Sequence, residues 1–388
     1  MHAARNTRIA IALLGGAAML AGCSQQTSAP PSPSSSGPSS PEAAIAAGST
    51  EACATSNGTA YCWGSNIDGQ LGDGTRTNSP TPVPVKGLPS LARSITAGNY
   101  ANCAIANASV YCWGINSAGG DRVGSTANSL TPQQVGGLPG TATSVSAGSN
   151  SVCAIADGAA YCWGNNIRGL LGDGTGNDSA TPVQVKGLPG SVTAIDEGPM
   201  FACAISNSAV YCWGNNTDGE LGDGTTTGSP TPVLVKGLPT NATAISAGQD
   251  SACAIAGGRA YCWGGNVSGN VGDGTTTDSL TAVAVKGLPA DVTSISAQNY
   301  AACAVASATV YCWGNNEHGK LGDGTTTKAS LPGQVKGLPA TATAVSLGAD
   351  AGCAAAGAGF WCWGGNYHGQ LGDGTTTDSL VPVAVKIG

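Results

Sequence analysis

The sequence predicts an all-β protein, a seven-bladed β-propeller with four-stranded blades. Three observations carry that expectation. From about Ala43 to Gly388 the chain repeats every 50 residues, and one tryptophan marks each copy: Trp63, Trp113, Trp163, Trp213, Trp263, Trp313 and Trp363. Each copy holds several short strand-like runs separated by Gly/Pro turns, which is how a propeller blade reads. Each copy also carries two cysteines with eight residues between them, beginning with Cys53 and Cys62. A stacked solenoid shares the long period, but a rigid fifty-residue unit with a tight internal hairpin fits a blade better.

The residues before the repeats set an expectation for the compartment. Arg5 and Arg8 precede an apolar run, Ile9 to Gly22, that is too short to span a membrane as a mature helix. The run ends in Leu20-Ala21-Gly22-Cys23, which resembles the lipobox of bacterial lipoproteins and implies that Cys23 becomes a lipidated N-terminus after cleavage. An ordinary signal peptide is the alternative, but Cys23 is the only cysteine outside the repeats. Residues 24–42 are rich in Ser and Pro and cannot bury a core, so they read as an extended tether. The expected organisation is a leader at 1–22, a lipidated cysteine and tether at 23–42, and a propeller at 43–388. It places the protein in the cell envelope, on the outer face of the plasma membrane or in the outer membrane of a two-membrane cell. Loss of residues 1–22 removes two arginines and no acid, taking the net charge from −7 to −9. Such a surface repels nucleic acid and anionic headgroups, which excludes a DNA partner and leaves the lipid as the only membrane contact.

Within a repeat, four strands follow in order: A (A-I-S-A-G type), B (A-C-A-I-A), C (A-Y-C-W-G) and D (T-P-V-P-V). Asn57-Gly58 is a strong signal for a two-residue hairpin between B and C, because both central residues need positive φ. Asp157-Gly158 and Gly257-Gly258 repeat it, while Asn107-Ala108 and Asn207-Ser208 weaken it. Counting outward from that turn pairs Ser56 with Thr59 and, three steps on, Cys53 with Cys62 at a non-hydrogen-bonded position. There the Cα atoms approach closely enough for a disulfide. The same count joins Cys103 to Cys112, Cys153 to Cys162, Cys203 to Cys212, Cys253 to Cys262, Cys303 to Cys312 and Cys353 to Cys362. Thiolate ligation of a metal is the rival reading, but a β-hairpin with this spacing does not resemble a zinc knuckle. An exported compartment permits the disulfides.

The run W-G-S-N-I-D-G-Q-L-G-D-G-T (Trp63 to Thr75), preceded by A-Y-C and echoed in all seven copies, resembles the regulator of chromosome condensation repeat. The resemblance implies the seven-bladed propeller and says little about function, because the fold carries unrelated binding tasks. Nuclear members of that family drive nucleotide exchange on a small GTPase and bind chromatin. The His they usually carry before strand B is replaced here by Glu51, Ala101, Ser151, Phe201, Ser251, Ala301 and Ala351. A secreted inhibitory protein of the same propeller class presents aromatic contacts from the corresponding loop, a pattern that Tyr100, Tyr300 and Met200 resemble.

The other repeated residues read as scaffold. Seven of the eight tryptophans share one position and pack between blades; Trp361 takes the slot of Tyr61. Gly-Asp-Gly-Thr loops supply one carboxylate each (Asp73 and its equivalents), too few for calcium, so they read as turns. Repeat two has Val123 for that Asp and Gly136 for the Lys of V-K-G-L-P, a joint loss that predicts an Asp73–Lys86 ion pair in the other blades. No metal or cofactor is expected. His318 and His368 fall on neighbouring blades without a third ligand, and no serine sits in a nucleophile elbow, so catalysis is not expected either.

Strands alternate in direction, so the A–B and C–D loops emerge on one face, and the opposite face repeats K-G-L-P almost unchanged. The variable face is where a partner is expected. Its candidate contacts are Tyr100, Met200, Phe201, Asp250, Tyr300 and Asp350 at the A–B turns. Tyr367, His368, Asp121 and Arg122 join them from the C–D loops. An alternative is that Tyr100 and Tyr300 plug the central channel. The functional expectation is a monomeric interaction module for an extracytoplasmic protein, including inhibition of an envelope enzyme. A glycan or cell-wall lectin and a structural envelope component are the alternatives.

Overall fold

A computed structural model describes residues 44–99, 101–115, 128–339 and 341–387. Seven four-stranded antiparallel sheets, each in the order A-B-C-D, form the seven blades. In blade 1 the strands are Ile45–Ala47, Glu51–Ser56, Thr59–Gly64 and Ser79–Pro84, and blade 7 runs from Ala342–Leu347 to Ser379–Ala384. Every blade is continuous in sequence, which answers how the ring closes. Blades 7 and 1 meet by packing, with no strand exchanged between them.

The B–C hairpins adopt the register counted from the sequence, Cys53 opposite Cys62 and Ser56 opposite Thr59. All seven cysteine pairs form disulfides, with Cα atoms 4.1 Å apart in blade 1 and 4.0 Å in blade 4. They are fully buried. Closing a loop this short contributes about 2.5–3 kcal/mol in the chain-entropy account.

In blades 1 to 6 both turn residues take positive φ as the hairpin requires, including Ala108 (φ 62°), Ser208 (φ 63°) and Ala308 (φ 60°), which carry side chains where glycine fits best; in blade 7 the first, Gly357, does (φ 61°). At the other end of strand C, Gly64 has φ 104°, and a Cβ there would meet the Thr50 carbonyl at 2.5 Å. This explains why glycine follows each tryptophan, where the C–D pairing also shifts register.

The core lies between blades. At each junction, strands B and C of one blade pack on strands A and B and the tryptophan of the next. Phe201, Ile205 and Leu221 with Ile245, Ala254 and Trp263 are one example. Ile45 and Trp63 with Phe360 and Leu371 close the ring in the same way. The leucine of each K-G-L-P, such as Leu88 and Leu238, tucks against these clusters, which accounts for the uniform opposite face.

Polar contacts repeat around the ring as well. Trp63 Nε1 donates to the Gln370 carbonyl (2.8 Å), Trp113 to Gln70, Trp213 to Leu170, Trp263 to Glu220, Trp313 to Asn270 and Trp363 to Lys320. For Trp163 the equivalent acceptor would be residue 120, outside the described residues. Nearer the axis, strand A backbones are bridged by side-chain hydroxyls. Ser346 Oγ accepts from Ala47 N at 3.0 Å, and Ser246 Oγ from Ala297 N at 3.0 Å. Asp196 Oδ2 does the same for Ala247 N at 2.8 Å.

Relaxing two of the three turns with a left-handed non-glycine second residue should stabilise the protein. Ala108→Gly and Ser208→Gly are each expected to gain about 0.5–1 kcal/mol, the cost of a left-handed non-glycine residue, in denaturant unfolding of the oxidised protein. A loss in both would contradict this account of the hairpin.

Candidate functional site: the loop face

In every blade but the second, whose loop lies outside the described residues, the A–B turn is stitched to its own C–D loop. Ser65 N donates to Thr50 O, Asn215 N to Met200 O, Gly265 N to Asp250 O and Asn315 N to Tyr300 O, all near 2.9 Å. The two loop sets therefore form one continuous face, as the alternation of strands requires. Among the described residues a buried asparagine organises the C–D loop of blades 1, 3, 4, 5, 6 and 7. Asn66 Nδ2 donates to Thr75 O and Thr77 O, and its Oδ1 accepts from Leu71 N at 2.9 Å. Asn166, Asn216, Asn266, Asn316 and Asn366 repeat this.

The Asp73–Lys86 ion pair is not formed. Asp73 instead accepts from Thr75 N (2.9 Å) and Thr75 Oγ1 and from Asn66 Nδ2. Among the described residues no lysine comes within 4.0 Å of this aspartate or its equivalents. In blade 3 the hydrogen bonds to Asp173 and, behind them, the field of Lys186 outweigh partial burial and hold the carboxyl below its usual value. The lysine acts at a distance, and the aspartate's task is the turn.

The predicted contact residues divide sharply. Phe201 must be corrected: it is the first residue of strand B in blade 4, fully buried in the junction with blade 5, and it cannot serve as a surface anchor. Its position follows directly on the A–B turn, where one step moves a side chain from loop to core. Met200 and Tyr300 are half-buried in the turns, Tyr300 with φ 61°. Asp250, Asp350 and His368 are half-buried on the same face. Tyr367 is 57% exposed. Tyr100, Asp121 and Arg122 lie outside the described residues.

The structure adds residues that the sequence reading passed over. Ile67, Ile167 and Val267 occupy the same C–D position as Tyr367 and are 63%, 58% and 62% exposed. The signal was present in the sequence: the residue after W-G-x-N is apolar in blades 1, 3, 5 and 7 and polar in blades 2, 4 and 6. His318 and Asp378 join Tyr367 at the junction of blades 6 and 7. The Tyr367 hydroxyl lies 2.7 Å from His318 Nδ1, which is 3.3 Å from Asp378 Oδ2, and the Tyr367 and His318 rings meet edge to face. Beneath them Lys320 is buried and donates to the carbonyls of Asn299 and Ala349, tying two A–B turns together. Burial pulls its ammonium down to about 8, against the opposing field of Asp350.

A cavity of about 220 Å³ lies on the ring axis and is lined by strand A residues, among them Thr96, Ser146, Asp196, Ser246 and Ser346. Tyr300 is not among the residues that line it. Asp196 accepts from Ser146 Oγ and Ala247 N at 2.8 Å, and burial pushes its carboxyl up. Among the described residues no group of three His, Cys, Asp or Glu side chains is arranged to hold a metal ion.

The sequence profile of the Regulator of chromosome condensation (RCC1) repeat matches residues 57–105, 157–205, 207–255, 307–355 and 359–388, more than half of the chain. The chain belongs to the RCC1 repeat family. Comparison with curated protein sequences yields no match. Among solved structures it is similar to human WBSCR16, at 19% identity and a TM-score of 0.75, over 85% of this chain and 94% of that one. It is also similar to Prp20p from Saccharomyces cerevisiae, described with its binding to Gsp1p and histones (19% identity, TM-score 0.72, 84% and 85% covered). A third match is yeast RCC1 (Prp20) bound to Kap60 (20% identity, TM-score 0.72, 84% and 83% covered). At these identities the likeness establishes the fold.

One buried acid gives a pH signature. Glu51 opens strand B of blade 1 and is 1% exposed; its Oε2 accepts from Thr50 N and Oγ1, and its Oε1 has no partner. Burial, opposed by the Thr50 hydrogen bonds, pushes its carboxyl from 4.5 up to about 8. Across that window the folded state holds a proton that the unfolded state has released, so stability falls as pH rises. Glu51→Gln is expected to match the parent below pH 4.5, where both side chains are neutral. Above pH 8 it should exceed the parent by roughly 1–3 kcal/mol, the cost of a buried unpaired charge. Urea unfolding at the two extremes measures the difference.

Proposed function

We propose that this RCC1-type propeller is a protein-interaction module held outside the cytoplasm, binding its partner through the A–B/C–D face. The observation that carries this reading is the set of exposed apolar tips, Ile67, Ile167, Val267 and Tyr367, on loops fixed by buried asparagines. Large apolar groups on rigid loops are what protein interfaces use as anchors, because their ordering costs little on binding. The binding of Gsp1p and histones by Prp20p, and of Kap60 by yeast RCC1, is in keeping with a propeller that works through partners. Inhibition of an envelope enzyme is one form the activity takes. The leader at 1–22, the lipidated Cys23 and the tether to residue 42 supply the anchorage, and seven buried disulfides suit an oxidising compartment. A glycan-binding reading draws on one feature, the exposed Tyr367 ring beside His318 and Asp378, since sugars stack on aromatic faces rimmed by polar groups.

Two experiments test the proposal. Affinity capture from envelope extract by the full chain should return a protein that the variant Ile67→Ser, Ile167→Ser, Tyr367→Ser holds at least about a hundredfold more weakly, as expected when several anchors are lost. Equal capture by both, or retention only of wall polymers displaced by free sugar, overturns the protein-binding reading. Cys23→Ala should move the protein from the membrane fraction to the soluble one. If it stays membrane-bound, the anchor lies elsewhere.

A further inference from the structure

One side-chain contact between neighbouring blades appears at two junctions of the loop face. The residue two places after a loop-organising asparagine meets the residue just before strand D of the next blade. Between blades 1 and 2, Asn128 Nδ2 donates to Asp68 Oδ1 at 3.0 Å. Between blades 6 and 7 the equivalent pair is His318 and Asp378, with Nδ1 3.3 Å from Oδ2. Only here does the next loop also present a phenol, since Tyr367 is the one tyrosine at its repeat position. His368 holds the place of His318 in blade 7, but there the positions of Asp378 and Tyr367 are filled by Asn78 and Ile67.

The backbone aims all three groups at one another. His318 sits in the left-handed region (φ 58°) within the short turn Glu317–Gly319. Asp378 Oδ1 accepts from Asn366 N at 2.8 Å, which leaves Oδ2 for the imidazole. The Tyr367 hydroxyl lies 2.7 Å from the same nitrogen, Nδ1, and the two rings meet edge to face with centroids 5.2 Å apart. The His318 and Asp378 side chains are 34% and 32% exposed, open enough to exchange protons with water.

Two partners therefore compete for one nitrogen, with opposite demands. A phenol hydroxyl donates and needs Nδ1 as a bare lone pair, whereas a carboxylate only accepts and needs Nδ1 to carry a proton. The observed distances match the first state. The phenol is within hydrogen-bond range, while 3.3 Å is longer than a charge-assisted N–H···O bond, about 2.7–2.9 Å. Protonation places a hydrogen on Nδ1 and reverses the preference.

The surroundings leave that choice to pH. Glu317 and Lys320 belong to the His318 loop, Asp350 to the A–B turn of blade 7, and His368 to the loop that carries Tyr367. Strands C and D of blade 7, Gly359–Gly364 and Ser379–Ala384, also pack against the turn and carry no charged residue. Lys320 is buried and donates to the Asn299 and Ala349 carbonyls. Among the described residues Asp378 alone comes within ion-pair distance of His318.

We propose that His318 is a proton switch on the loop face: as the neutral imidazole it holds Tyr367 through Nδ1, and on protonation it turns that nitrogen to Asp378 and frees the tyrosine. Tyr367 is one of the exposed tips of the binding face, so acid alters the surface a partner meets. That consequence rests on the protein-binding reading above; the switch itself does not.

NMR of the full chain labelled with ¹⁵N-histidine and ¹³C-tyrosine, followed from about pH 8 to about pH 5 without a partner, tests the switch across the range in which histidine titrates. At the upper end His318 should carry its proton on Nε2. At the lower end both nitrogens should be protonated, and the Tyr367 ring resonances should move toward those of free tyrosine. Asp378→Asn removes the acceptor of the charged state and should move the transition to lower pH by about 0.2–0.7 units. Tyr367→Phe removes the donor to the neutral state and should move the His318 transition to higher pH by a similar amount. His368 is the internal control and should shift less in both. A proton on Nδ1 at the upper end, a Tyr367 ring indifferent to pH, or shifts of the same sign in the two variants each overturns the switch. Capture from envelope extract tests the consequence. A partner held at about pH 8 should be held at least about threefold more weakly at about pH 5, because a freed tip must be ordered again on binding. His318→Asn, which suits the left-handed backbone, should abolish the difference. Equal capture by the parent at both pH values overturns the switch's hold on the face. Capture of no protein at either overturns the protein-binding reading and leaves the switch standing on its spectra.

Discussion

The hydrogen bond from the tryptophan indole to a carbonyl in the preceding blade, made by Trp63, Trp113, Trp213, Trp263, Trp313 and Trp363, is the constraint on which the rest depends. It is buried, so an unmade donor there would cost about 1–3 kcal/mol, and the indole supplies much of the apolar area at each junction. It also fixes the height of one C–D loop against the next blade. Gly72 completes the fit: a Cβ at that position would stand 2.8 Å from Trp113 Nε1, and Gly272 faces Trp313 in the same way. Loop placement on the A–B/C–D face is thus decided in the core of the neighbouring blade.

The scaffold was legible because it is repeated. A period of 50 residues, a hairpin turn and a count of four pairs sufficed to place Cys53 against Cys62. The same arithmetic assigned the loops to their face. The candidate site was only partly legible, and the failures have physical causes. Phe201 reads as a loop aromatic, yet the A–B turn ends one residue earlier and the side chain faces the core. Asp73 and Lys86 co-occur across blades without touching, because the threonine two residues on offers Asp73 closer donors. Ile67, Ile167 and Val267 look like ordinary core residues in a sequence, and only the loop geometry shows that they point to solvent.

The chain keeps strict uniformity where blades touch and concentrates its differences where loops meet solvent. The K-G-L-P face, the disulfides and the indoles vary little. The positions at Gln70, Leu170, Glu220, Asn270 and Lys320 have their backbones fixed by tryptophan, yet they carry apolar, amide, acidic and basic side chains. A buried residue with a fixed backbone and a free choice of charge lets one blade differ from its neighbour electrostatically without disturbing the ring.

Because every blade is a complete, uninterrupted stretch of chain and the ring shuts without exchanging a strand, the unit of folding and the unit of gene duplication coincide. Copying or deleting one fifty-residue segment adds or removes a whole blade with its own staple, with no half-blades to be matched. Each D–A connection lies between whole blades and is a natural point for circular permutation. A lineage can therefore reorder blades, and with them the order of charges around the rim, by recombination alone.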